Sequence, residues 1–249
     1  MKIIGSDYDG TLNHNGIDDA KKEAISRWRK AGNVFSLVSG RGPEEILTLY
    51  RNNSFECDYL VADSGALILT PDGSVVSDVR CDGELAVPLI DLLFECGCPF
   101  ATVLTAFPCR VYADKSECHN AGEYTKDNMP KIEYFNQIST MLPDFESASS
   151  VTQKVKDRFS DTLNPLQNGR CIDIVRADMN KSKGLCILSE LLGAKHEDVI
   201  TVGDNINDID MLTYFRSYAM KNGVDRVKAI ADDITEGITE LIGKELAKE

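Results

Sequence analysis

The chain opens on a short apolar run, Ile3-Ile4, which gives way at once to Gly5-Ser6-Asp7-Tyr8-Asp9-Gly10-Thr11-Leu12. The run reads as a buried strand. Its extended backbone would place Asp7 and Asp9 on one side, since alternate residues share a face. Gly10 then lets the chain turn through a backbone angle that other residues resist. Asn13-His14-Asn15-Gly16 is turn-like, and Asp18 is placed to cap a helix running to Ala31. Ala20, Ala24, Ile25, Trp28 and Ala31 recur there at helical spacing, and Gly32 suits the exit. Val34 to Val38 is the next strand, ending in Ser39-Gly40-Arg41-Gly42. Pro43 opens a second helix at its favoured first position, with Glu44 and Glu45 at the positive end of the dipole. Tyr59 to Ala62 is a third strand, followed by Asp63-Ser64-Gly65 and a hairpin across Pro71-Asp72-Gly73. Strand, helix, strand, helix, strand is the order of a doubly wound parallel α/β sheet.

From about Cys81 the texture changes. Glu84 to Cys96 reads as a helix, Phe100 to Ala106 and Cys109 to Ala113 as paired strands, Val151 to Leu163 as a helix and Arg170 to Val175 as a strand. Residues 114–150 are polar and give no clear period. This stretch reads as a separate α+β unit inserted into the sheet's chain path, with boundaries at 81–177. The alternation resumes at Lys183, with a helix over Gly184 to Leu192 carrying Leu185, Leu188, Leu191 and Leu192. Val199 to Val202 is a strand ending in Gly203-Asp204-Asn205, and Ile206 to Tyr214 a helix. Ser217 to Met220 is a strand, followed by helices at Val224 to Ala231 and Glu236 to Ala247. The core is therefore expected to be 1–80 with 178–249.

Composition narrows the partners. At 249 residues, 43% hydrophobic and 27% charged, the chain is long enough to bury a full core. No apolar run approaches a membrane span, and Asp7 follows too soon for a secretory signal, so a cytoplasmic protein is expected. Forty acidic against 27 basic residues give a net charge of −13. That argues against nucleic acid and anionic membranes, both of which need a basic footprint. An anionic substrate would need a metal and a few placed cations to enter such a field. The eight cysteines contain no C-x-x-C pair, and Cys96-Gly97-Cys98 and Cys118-His119 are weak groupings. They read as reduced, largely buried thiols.

Four polar clusters follow separate strands: Asp7 with Asp9, Ser39-Gly40, Lys183, and Asp204 with Asp208. A parallel sheet brings its strand ends to one edge, where ligands bind. Two close carboxylates resist joint ionisation unless a cation or proton resolves them. Carboxylates, a hydroxyl and a cation are what phosphoryl transfer requires. Each alone has a plainer reading: a turn acid, a helix cap, a solvated lysine.

Taken together, the clusters resemble the haloacid dehalogenase-like phosphatases, most closely the Cof-type subfamily. Asp7-Tyr8-Asp9-Gly10-Thr11-Leu12 matches the D-x-D-G-T-L signature, Ser39-Gly40-Arg41 the second motif and Lys183-Gly184 the third. Gly203-Asp204-Asn205-Ile206-Asn207-Asp208 with Met211-Leu212 matches the fourth, and Ala219 to Gly223 resembles a subfamily stretch beyond it. Ser64-Gly65-Ala66 departs from the usual Asn-Gly-Ala. The resemblance implies a Rossmann-like core with a type 2 cap between the second and third motifs. It implies that Asp7 attacks phosphorus and that Asp9 serves as acid and then base. Mg²⁺ is implied as cofactor, held by the Asp7 carboxylate, the Asp9 backbone carbonyl and Asp204, with Asp208 ordering that shell. Thr11, Ser39, Gly40, Arg41, Lys183 and Asn207 are the expected phosphate- and substrate-binding residues. Lys183 is preferred because Gly184 follows it, with Lys181 a rival on reach. The expected partner is a small phosphorylated metabolite, a sugar phosphate first, handled by a monomer or weak homodimer. The competing readings are a trehalose-phosphate-phosphatase-like enzyme, a phosphomutase, and a binding protein on a retired phosphatase fold.

Overall fold

The computed structural model describes residues 1–105 and 108–248. Six mutually parallel strands form the core of an eight-stranded sheet. In spatial order they are Asp233–Thr235, Arg216–Met220, Val199–Gly203, Ile3–Ser6, Val34–Val38 and Tyr59–Ala62. Leu67–Leu69 continues the sheet antiparallel to Tyr59–Ala62, and Val75–Asp78 forms its edge. Ile3–Ser6, Val34–Val38 and Val199–Gly203 are buried throughout, as strands covered on both faces must be.

Side-chain alternation sorts these strands into two cores. Ile4, Phe35, Leu37 and Leu60 join Ala24, Ile25 and Trp28 of the helix Asp19–Lys30 and Ile238, Leu241 and Ile242 of the helix Ile238–Leu246. Ile3, Val34, Val38 and Val61 join Leu185 and Leu188 of the helix Lys181–Leu191, with Met211 and Leu212 of Ile209–Tyr214. Asp18 caps the first helix by accepting the Lys21 N–H at 2.9 Å. The connections run outward from Ile3–Ser6 first to one side, then to the other. The strand order therefore reverses between Ile3–Ser6 and Val199–Gly203, where sheets of this class open a crevice.

The chain divides into two compact units, Met1–Ser77 with Lys181–Glu249, and Asp78–Asn180. The second is a six-stranded, mostly antiparallel sheet in the order Leu163–Asn168, Cys171–Arg176, Gln137–Met141, Phe100–Leu104, Cys109–Tyr112, Glu123–Thr125. Leu89, Ile90 and Leu93 of the helix Ala86–Glu95 pack in one core with Val151 and Val155 of Phe145–Phe159 and with Ile138, Ile172 and Ile174 of the sheet.

Several elements depart from the sequence reading for identifiable reasons. The helix expected from Val151 begins at Phe145, because Asp144 accepts the Ser147 N–H at 2.8 Å and caps it there. Leu163, expected to end that helix, instead opens a strand whose Pro165 is tolerated because the strand lies at the sheet's edge. Gln137–Met141 lies inside the polar stretch that gave no period. The helix expected over Val224 to Ala231 shrinks to Asp225–Lys228, and Asp232 ties the start of an edge strand by accepting the Ser217 N–H at 2.9 Å. Ala106, the expected end of a strand, lies outside the described residues. The helix expected from Gly184 begins at Lys181.

That last helix approaches the turn Asp63–Gly65 closely. A Cβ on Gly184 would lie 2.6 Å from the Gly65 Cα and 2.9 Å from its carbonyl oxygen. Because the obstacle is backbone, Gly184→Ala is expected to destabilise the protein by roughly 2–3 kcal/mol in urea unfolding. Gly243→Ala, at a helical position with nothing within 4 Å of the new methyl, is the control. It should be neutral or stabilising by up to about 1 kcal/mol.

Candidate active site

Asp7 emerges from the central strand with the ladder still intact, its N–H donating to the Val202 carbonyl at 3.0 Å. The chain then curls back: the Leu12 N–H donates to the Asp7 carbonyl at 3.2 Å and the Asn13 N–H to that of Tyr8 at 2.8 Å. Gly10 stands inside this curl at φ +80°, and a Cβ there would lie 2.4 Å from Asp204 Oδ2. Only glycine leaves that space to the carboxylate. The Thr11 hydroxyl donates to Asp204 Oδ1 at 2.8 Å, and the Asn222 amide to the Gly10 carbonyl at 2.9 Å.

A second glycine does the same for Asp208. A Cβ on Gly203 would lie 2.5 Å from Asp208 Oδ2, an oxygen that accepts the N–H groups of Asp204 at 3.0 Å and Asn205 at 3.1 Å. Asp208 is fully buried. Its other oxygen and Asp7 Oδ1 each accept from the Lys181 ammonium at 2.6 Å. Lys181 is itself 2% exposed.

One ammonium thus faces three acids, since an oxygen from each of Asp7, Asp204 and Asp208 lies within 4.8 Å of the others. Burial, then the Asp208 charge, push the Asp7 carboxyl up to about 8 against the pull of Lys181. Burial likewise raises Asp204, opposed by the Thr11 hydroxyl. Burial alone would lower Lys181, but Asp208 and Asp7 outweigh it and hold the ammonium above its ordinary value. The arrangement carries surplus negative charge in a low-dielectric setting, which a divalent cation would relieve. The donor set is all oxygen, as Mg²⁺ prefers. Both Asp208 oxygens are engaged by N–H groups, which leaves Asp7 and Asp204 as the carboxylates able to take the ion.

The lysine expectation requires correction. Lys181, not Lys183, reaches Asp7; the Lys183 ammonium lies 5.7 Å from the centroid of the Tyr214 ring. Both lysines lie in the helix Lys181–Leu191, and residues two apart on a helix do not face the same way. The signal was present in the sequence. Lys181 stands three, four and seven residues before Gly184, Leu185 and Leu188, the stripe that turns inward.

The remaining residues take distinct places. Ser39 is buried after the neighbouring strand, its Oγ accepting the Arg41 N–H at 3.2 Å. Gly40 follows it in the same segment. Arg41 donates through Nε to Asp9 Oδ2 at 2.8 Å and through Nη2 to Asp9 Oδ1 at 3.1 Å. The Asp9 carboxylate therefore pairs with a guanidinium and stands outside the acidic trio. Asn207 lies in the turn Ile206–Asp208, its side-chain oxygen buried without a hydrogen-bond partner among the described residues. Asp63 and Ser64 both adopt left-handed backbone, at φ 49° and 52°, and the Ser64 N–H donates to the Ser39 carbonyl at 3.1 Å. Serine thus takes the left-handed turn here, and the turn ties the third strand to the second motif.

Comparison with known proteins agrees with this architecture. The family model for haloacid dehalogenase-like hydrolases matches residues 4–240. The chain is 24% identical to the 5-amino-6-(5-phospho-D-ribitylamino)uracil phosphatase of Escherichia coli, over 100% of this chain and 97% of that one. Its fold superposes on a haloacid dehalogenase-like hydrolase from B. subtilis with a TM-score of 0.84 at 17% identity, covering 98% and 99% of the two chains. A sugar phosphatase of HAD subclass IIB gives a TM-score of 0.80 at 18% identity, covering 98% of each. The chain belongs to the haloacid dehalogenase-like hydrolases. Within that family it is a phosphatase, a phosphoric monoester hydrolase. Among the described residues no helix is long and apolar enough to cross a membrane.

The two lysines can be separated by experiment. Lys181→Met removes the cation between Asp7 and Asp208 and is expected to lower kcat/KM for p-nitrophenyl phosphate by about 10³-fold. Lys183→Met is expected to stay within about threefold of wild type, since solvent-side substitutions change little. Equal losses in the two variants would contradict the assignment.

Proposed function

We propose that this phosphatase is Mg²⁺-dependent and hydrolyses a small phosphorylated metabolite, a sugar phosphate or its polyol equivalent, through a phosphoenzyme on Asp7. The observation that carries the reading is the Asp7–Lys181–Asp208 bridge beside Asp204, with each carboxylate in a different role. Asp7 is held rigidly with its Oδ1 on the ammonium, as a nucleophile must be for in-line attack. Attack forms a bond from an Asp7 oxygen to phosphorus and breaks the bond to the leaving alkoxide, which takes its proton from Asp9. Asp9 then accepts a proton from the water that opens the acyl phosphate, restoring both acids. Asp7, Asp204 and the Asp9 carbonyl would hold the Mg²⁺, which when bound neutralises charge on the phosphoryl oxygens. Lys181, Ser39, the Gly40 N–H and Asn207 are the groups assigned to those oxygens, and Thr11 fixes Asp204.

The substrate class draws on the relatives. One is named for a phosphoribityl compound and one similar structure for a sugar phosphate, which share a phosphate ester on a polyhydroxylated carbon chain. The unit Asp78–Asn180 is the part of this chain assigned to selecting the leaving group.

Asp7→Asn is expected to lower phosphate release by about 10³-fold or more while preserving the unfolding midpoint. Mass spectrometry of acid-quenched wild type should find one phosphoryl group on the peptide carrying Asp7. A panel of phosphorylated metabolites ranked by kcat/KM should place sugar and polyol phosphates first; a ranking led by nucleotides or amino-acid phosphates would refute the substrate class. Mg²⁺ at about 100 times its dissociation constant should stabilise the wild type by about 2.7 kcal/mol. Asp204→Asn should abolish that gain, and chelation by EDTA should silence turnover.

A further inference from the structure

The helix Asp19–Lys30 carries in its first turn a lysine that points back along the chain. The Lys21 ammonium donates to the carbonyl oxygens of Leu12 at 3.2 Å, His14 at 2.6 Å and Gly16 at 2.6 Å. Three donors meet three acceptors, which uses the full capacity of the group. The nearby Asp18 carboxylate accepts the Lys21 backbone N–H at 2.9 Å. All three carbonyls belong to one five-residue bend. Asn15 at φ 59° and Gly16 at φ 84° turn that bend so that alternate carbonyls converge on one point. A cage of neutral carbonyl oxygens around a single positive charge is how proteins hold a dehydrated monovalent cation.

The bend is the continuation of the nucleophile segment. Its amides return to that segment: Leu12 to the Asp7 carbonyl, Asn13 to that of Tyr8 and His14 to that of Thr11. Thr11 in turn holds Asp204. A continuous path of hydrogen bonds therefore runs from the Lys21 ammonium to the backbone of Asp7.

We propose that Lys21 is a tethered monovalent cation, a positioning residue whose ammonium fixes the loop behind the Asp7 nucleophile. The side chain takes no part in the chemistry. If it is removed without filling the space, the carbonyl cage is left able to accept a free ion of similar size and charge.

The test is cation rescue at constant ionic strength. Wild type, Lys21→Ala and Lys21→Met are assayed with p-nitrophenyl phosphate and Mg²⁺ in choline, sodium, potassium, ammonium or methylammonium chloride. In choline, Lys21→Ala should lose on the order of tenfold in kcat with KM changed by less than about twofold, as small misplacements of reacting groups do. Potassium, ammonium or methylammonium should restore most of that loss, while wild type stays indifferent. Lys21→Met, which fills the cage with an apolar chain, should remain low in every salt. Unchanged kcat in Lys21→Ala, or a loss that no cation repairs, would overturn the assignment. Thermal unfolding supplies a readout independent of activity: Lys21→Ala should melt roughly 3–6 °C below wild type in choline. It should regain that in potassium, and a melting point blind to the cation would count against the proposal even if the variant were inactive. Loss of phosphatase activity in the wild type would refute the functional reading instead, and would leave the melting result standing.

Discussion

The ion bridge from Lys181 to Asp7 and Asp208 is the constraint around which the catalytic unit is arranged. All three groups are nearly or wholly out of water, so each forfeits hydration that the ion pair must offset. The offset is good because every partner is close and further hydrogen bonds complete Asp208. It is still incomplete in charge, with Asp204 leaving more acid than base. The same imbalance that makes the protein alone less stable would be relieved by a bound cation, the role proposed for Mg²⁺.

This closeness dictates the glycines. Gly10 and Gly203 stand where a methyl would occupy the space of Asp204 and Asp208, and Gly184 stands where a methyl would push the Lys181 helix off the Asp63–Gly65 turn. They serve one geometric end, the convergence of three chain segments on a few ångströms. The sheet does the rest. Asp7 leaves the strand Ile3–Ser6 and Asp204 leaves Val199–Gly203, neighbours in register with Ser6 opposite Val202. Residues almost 200 positions apart in sequence are therefore adjacent by topology before any side chain is chosen.

Much of this was legible in the chain, and the failures have physical causes. Strands buried on both faces announce themselves as apolar runs, and a capped helix with an inward stripe is read from Asp18, Ala24, Ile25 and Trp28. Asp7 and Asp204 are legible because each follows an apolar strand run, and Asp208 because it stands one helical turn beyond Asp204. Adjacency to Gly184 points to Lys183, whereas the periodicity of Leu185 and Leu188 points to Lys181. The helix face, not local identity, decides which lysine turns inward. In the inserted unit, Gln137–Met141 pairs on both sides yet alternates Gln, Ile, Ser, Thr and Met, so its strand character comes from its neighbours and not from its own pattern. The bond from Asn222 to the Gly10 carbonyl joins segments whose spacing carries no period, so geometry alone shows it.

The two acids of the first motif show how one short segment supports two kinds of behaviour. Asp7 is buried on a fixed ammonium, whereas the side chains of Asp9 and Arg41 remain 56% and 38% exposed. An ion pair that open to solvent is worth only about 0–1 kcal/mol, even with two hydrogen bonds. Such a contact orients Asp9 without burying it, and Glu45 is a second partner of Arg41 at 3.3 Å. A nucleophile, the role proposed for Asp7, gains from being immobile, since its attack has one geometry. A group that gives a proton to one oxygen and takes one from another, as proposed for Asp9, must move between them. The sequence places both carboxylates two residues apart, and burial decides which of them stays still.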